Sequence, residues 1–102
     1  MTTKQHTLDE IEKIIGPMTF GRLLESLRTT AEITQVDMAK KLGISKQELC
    51  DIEKSRKTIS LERAIKFARK LKESEEAFVH FALEDQLRRA GIKAQIKIKS
   101  VA

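Results

Sequence analysis

The chain has 102 residues, 40% of them apolar and 34% charged, and Lys plus Arg exceed Asp plus Glu by 20 to 15, giving a net charge of +5. That length suits one modest core, and the basic balance suits a polyanionic partner, although many solvated surfaces share it. One Cys excludes an internal disulfide framework, no secretory leader or membrane-spanning apolar run occurs, and the absence of Trp and Tyr leaves little for the base stacking used on single strands and RNA.

Thr7 and Glu10 open a short predicted helix that runs through Ile15 and is stopped by Gly16 and Pro17. Its apolar stripe, Leu8, Ile11, Ile14 and Ile15, either completes the domain's own core or packs on a second subunit. Thr19 caps the next helix, in which Phe20, Leu23, Leu24 and Leu27 recur at helical spacing and are expected in the core.

From Gln35 to Lys54 the sequence reads QVDMAKKLGISKQELCDIEK. Two helices joined by a very short turn must cross closely, so a small residue is needed inside the first, and Ala39 supplies it while Gly43 supplies the turn. Met38, Leu42, Leu49 and Ile52 repeat on the inward faces, which leaves Gln47, Cys50, Asp51 and Lys54 pointing away from the core. Cap chemistry agrees: Thr34 with Asp37 starts the first helix, and Ser45 with Glu48 forms a full capping box. Ile33 with Met38 and Ile44 with Leu49 form hydrophobic staples at the two starts. This combination is a helix-turn-helix signal and points to duplex DNA.

A loop from Ser55 to Ile59 leads to Ser60, which caps a bracing helix whose Ala64, Ile65, Ala68 and Leu71 are expected to face inward. Ser74, followed by Glu75 and Glu76, begins a helix ending at Arg89 or Ala90 before Gly91. Its apolar residues cover more than one stripe, so a second copy of the chain is expected on one side. Phe20, Phe67, Phe78 and Phe81 all sit in helical apolar patterns and read as core. After Gly91 the period becomes two: Ile92, Ala94, Ile96 and Ile98 alternate with polar residues as in a half-buried strand. Such a strand pairs with its equivalent in a second subunit, pairs with another protein, or stays a basic tail.

From Phe20 to about Phe78 the stretches FGRLLESLRTTAEITQVDMAKKLGIS, KQELCDIEKSRKTIS and LERAIKFARKL resemble, in order, the phage-repressor-like helix-turn-helix family. That family includes the lambda and Cro repressors and the xenobiotic-response-element group of bacterial regulators. The resemblance implies an all-α fold, a five-helix repressor-like domain; outside it, the periodicity of the chain adds an extra short N-terminal helix and a C-terminal β-strand expected to serve dimerisation, roles that the resemblance does not supply. The expected division is 1–18 as N-terminal extension, 19–73 as DNA-binding domain and 74–102 as dimerisation segment. The strand surface is assigned to Ile92, Ala94, Ile96 and Ile98, and the helical surface to Val79, Leu83 and Leu87. The family often has Gly just after the recognition helix, where this chain has Ser55.

The resemblance also implies that Gln35, opening the first helix of the motif, grips a phosphate. Lys46 and Gln47, opening the recognition helix, are candidate base readers: Lys46 donates to guanine or phosphate, and Gln47 bonds adenine in two places. Asp51 either accepts from cytosine or pairs locally with Lys54, and Cys50 either meets a thymine methyl, acts as a redox switch or is a plain small helix residue. Ser45, Lys54, Arg56 and Lys57 complete the expected phosphate contacts, with Ser45 mainly a cap, whereas Arg22 and Arg28 read as surface residues.

Cys50, His6 and His80 have no metal-ligand spacing, the glycines read as turn residues, and no activated nucleophile or phosphate loop can be assembled, so no metal, cofactor or enzymatic activity is expected. The expected function is a cytoplasmic, homodimeric transcriptional regulator on double-stranded DNA, reading an inverted repeat. Two other readings stand beside it: an antitoxin that represses its own operon and neutralises a toxin protein, and a protein-binding adaptor that no longer reads DNA.

Overall fold

The computed structural model describes residues 18–92. The N-terminal helix expected over 7–15 and the strand expected over 92–99, Ile92 apart, lie outside the described residues. Within them are five helices: α1 (Phe20–Thr30), α2 (Gln35–Leu42), α3 (Lys46–Glu53), α4 (Leu61–Leu71) and α5 (Glu75–Arg89).

Each helix starts where a Ser or Thr stands in extended backbone. The side chains of Thr19, Thr34, Ser45, Ser60 and Ser74 accept from the amides of Arg22, Asp37, Glu48, Arg63 and Ala77. Each satisfies one of the amides that a helix start leaves without a partner. The capping box at Ser45 is only half made, because the Glu48 carboxylate is drawn away to Arg63 and Lys57. Gly43, left-handed at φ 72, ends α2 and turns the chain into α3. Lys70 Nζ donates to the Leu42 carbonyl at that same end, 3.0 Å away.

Packing follows the apolar period. Phe20 and Leu24 of α1, Met38, Ala39 and Leu42 of α2, and Leu49 and Ile52 of α3 are buried together with Ile59. Ala64, Phe67 and Ala68 of α4 and Phe78 and Ala82 of α5 close the same core. Phe67 joins Ala64 and Ala68 on the buried face of α4, while Ile65 is only half-buried. The rings of Phe20 and Phe78 meet edge to face, 5.4 Å between centroids. Ile33 and Ile44, the two staple residues, pack against this core, as do Leu23, Leu27, Leu71 and Phe81. The helix pairs in contact are α1 with α3 and α5, α2 with α3 and α4, and α4 with α5.

Reading every glycine as a turn residue is corrected at Gly21. It lies inside α1 and is buried. A Cβ there would fall 2.0 Å from the Ile52 carbonyl oxygen and 2.8 Å from that of Glu53. Only a glycine lets α1 approach the end of α3 this closely.

Candidate nucleic-acid interface

Helices α2 and α3 are joined by Gly43, Ile44 and Ser45, and buried Met38, Ala39, Leu42, Leu49 and Ile52 fix their crossing. Lys46 and Gln47 are exposed on the first turn of α3, Cys50 and Asp51 are half-buried one turn on, and Lys54 is exposed at the C-cap. The first turn of a helix also carries partial positive charge, which favours an approaching phosphate.

The surface is held by three sets of polar contacts. In the first, Gln47 Nε2 donates to Asp51 Oδ1 at 3.1 Å, and Arg56 lies 3.8 Å from the same carboxylate oxygen. Arg56 therefore takes the place expected of Lys54. The physical cause is the left-handed residue Ser55, at φ 58, which folds the chain back so that the Arg56 amide donates to the Asp51 carbonyl at 2.8 Å.

In the second set, Arg63 of α4 donates two hydrogen bonds to Glu48, at 2.9 and 3.2 Å, and Lys57 of the loop pairs with the same carboxylate. Arg63, with Lys57 second, holds the Glu48 carboxyl down at about 2. The Arg63 guanidinium also lies over the Phe67 ring, 5.3 Å from its centroid.

The third set was not foreseen from sequence. Glu53, only 4% exposed, accepts from Arg28 Nε at 2.8 Å, from Arg28 Nη2 at 3.2 Å and from Gln35 Nε2 at 3.0 Å. Arg28 also donates to the Ile33 carbonyl at 3.2 Å, and the Glu53 bonds raise its pKa further. Arg28 is thus a structural partner and not a surface residue. A signal for Glu53 existed: it follows Leu49 by four positions on the inward face, where a carboxylate requires a buried donor. Through it, Gln35 at the start of α2 is tied to the end of α3.

The loop 55–59 is fastened from α5. Arg89 donates to the Ser55 carbonyl and Gln86 to the Ile59 carbonyl, each at 2.9 Å. Asp85 accepts from the Phe20 amide at 3.0 Å, and burial pushes its carboxyl above the usual range against the pull of Phe20 and Arg88. Val79, Leu83 and Leu87 lie half-buried along α5, and Ile92 beyond it is 51% exposed. Ala94, Ile96 and Ile98 lie outside the described residues.

Two short helices crossing over a glycine turn, with an amide and an ammonium exposed on the first turn of the second, define a helix-turn-helix DNA-binding domain. Comparison with family models agrees: a helix-turn-helix model matches residues 24–78, more than half of the chain. The chain belongs to this helix-turn-helix family, of the xenobiotic-response-element type. A search of curated proteins finds no match. Among the described residues no helix is long and apolar enough to cross a membrane, and no cluster of His, Cys, Asp and Glu could hold a metal ion.

Proposed function

We propose that the chain is a sequence-specific transcriptional regulator that binds double-stranded DNA as a homodimer, each α3 entering the major groove at one half of an inverted repeat. The observation that carries the reading is the exposed first turn of α3, where Lys46 and Gln47 project from a helix anchored behind by buried Leu49, Ile52 and Glu53. A rigid support is what base reading requires, because a bidentate contact loses its discrimination when the donor wanders.

Lys46 and Gln47 are the base readers, with Cys50 and Asp51 beside them one turn on. Gln35, Ser45, Lys54, Arg56 and Lys57 serve the phosphates. A phosphate arriving at Arg56 or Lys57 competes with Asp51 or Glu48, so backbone binding exchanges one charged partner for another and its net gain is modest. Dimerisation is assigned to Val79, Leu83 and Leu87, which recur every four residues on α5, continued by exposed Ile92. A four-residue spacing keeps these side chains on one strip of the helix, suited to an isologous contact.

Binding measured over a salt series tests the division of labour. Gln47→Ala costs about 1–3 kcal/mol on a selected site and leaves a scrambled duplex unaffected. Lys57→Ala weakens both alike and reduces the slope of log K against log salt by about 1. Equal losses for Gln47→Ala on both duplexes would remove it from base reading.

A further inference from the structure

Near its C-terminal end, α5 turns three polar side chains toward backbone groups of other segments. Asp85 receives the Phe20 amide at 3.0 Å, Gln86 reaches the Ile59 carbonyl at 2.9 Å, and Arg89 reaches the Ser55 carbonyl at 2.9 Å. Ser55 Oγ in turn donates to Thr19 Oγ1 at 2.9 Å, so the start of α1 and both ends of the loop 55–59 are gathered onto one helix.

The loop between these anchors carries Arg56 and Lys57, both exposed, and begins at a left-handed Ser55 where a glycine would be unstrained. Left to itself, such a segment gives up backbone conformational entropy when it is ordered against a ligand. Anchoring both ends beforehand removes part of that cost from the binding step.

We infer that Gln86 and Arg89 are positioning residues for the DNA backbone: by holding the Ile59 and Ser55 carbonyls they keep Arg56 and Lys57 where phosphates meet them, so that α5 sets DNA affinity without touching DNA. The inference deepens the proposed function and rests on its assignment of Arg56 and Lys57 to phosphates. It also joins the proposed dimer strip to the proposed phosphate clamps, since Leu83 and Leu87 share α5 with Gln86 and Arg89.

The test is a double-mutant cycle on the full chain, read as the salt dependence of binding to a short random-sequence duplex. Its corners are wild type, Arg89→Ala, the pair Arg56→Ala with Lys57→Ala, and all three together, each with its fold verified by far-ultraviolet circular dichroism. Arg89→Ala is expected to weaken binding at low salt by roughly 3–10-fold and to lower the log–log slope by about 1. On the background lacking the two loop cations it should change nothing further, because residues acting through one another are not additive. Gln86→Ala alters no charge and should weaken binding in the same direction. It takes the place of Arg89→Ala in the cycle should that variant fail to fold. Additive losses would make Arg89 a phosphate contact itself and overturn the inference, as would unchanged binding in both α5 variants. If the loop pair alone leaves the slope unchanged, the phosphate assignment fails and the inference falls with it. If the loop pair lowers the slope and the α5 variants do not, only the inference fails.

Discussion

The side-chain amide of Gln47 donates to the carboxylate of Asp51, one turn further along α3, at 3.1 Å. This pairing uses one proton of Nε2 and leaves the second proton and Oε1 for another partner, which is the donor–acceptor set that matches adenine N7 and N6. Asp51 thereby orients Gln47, the proposed base reader, while its charge would oppose any phosphate brought near it. Asp51→Ala should therefore have two opposite effects. Discrimination at the base pair read by Gln47 falls about 3–10-fold, and affinity for random duplex rises. Competition binding with single-base variants of a selected site measures both. Unchanged discrimination would mean that the pairing does not orient Gln47.

Glu53 is the buried junction of the motif, and removing it leaves the Arg28 guanidinium with the Ile33 carbonyl but no counter-charge and takes from the Gln35 amide its acceptor. Breaking one side of a buried ion pair costs about 3–5 kcal/mol. Glu53→Ala should lose that much in urea unfolding, a large share of the stability of a domain this small. A loss below about 1 kcal/mol would show that α1, α2 and α3 are held by apolar packing alone.

Gly21→Ala tests the close crossing of α1 and α3. The atom that a Cβ would meet at 2.0 Å is a backbone carbonyl oxygen, which cannot swing aside as a long side chain can. The helices must separate, at a cost of about 3 kcal/mol. Thermal unfolding should show a lower midpoint, and DNA affinity should fall because the end of α3 is displaced. A midpoint equal to wild type would contradict the crossing geometry.

Glu48 gives a pH dependence of definite sign. Its carboxyl lies at about 2 in the folded chain against 4.5 in the absence of partners. A lowered folded value stabilises the protein fully above the unfolded value, and that contribution is lost as pH falls toward the folded one. Wild type should thus exceed Glu48→Gln in urea midpoint at neutral pH. The difference should shrink from about pH 5 downward and be gone only below about pH 2, once both states are protonated. A difference independent of pH would show that Arg63 and Lys57 do not act on Glu48 as a charge.

Local signals were legible and distant ones were not. All five caps, from Thr19 to Ser74, were readable because a cap depends on a hydroxyl and the next few amides. The crossing of α2 and α3 was readable from Ala39, Gly43 and the apolar period. Gly21 was not, since the carbonyls that require it lie at the far end of another helix. Arg28 and Glu53 are separated by 25 residues, so nothing local connects them, although the inward position of Glu53 called for some donor. Of the two roles the sequence leaves open for Asp51, the local pair is made with Arg56 and not with Lys54, because left-handed Ser55 reverses the chain just past the helix end. The ties from α5 to the Ser55 and Ile59 carbonyls carry no sequence signature at all, because any residue offers a carbonyl.

If α3 reads base edges in duplex DNA, the purified chain selects particular sites from fragmented genomic DNA, a measurement made with its mass in solution taken in the same buffer. A dimer that enriches a short inverted repeat, and loses that enrichment on Gln47→Ala, is the expected result. The enriched locus then shows whether a toxin gene stands beside the site. A stable chain that enriches no sequence even at low salt would contradict the claim and leave the fold serving a protein partner.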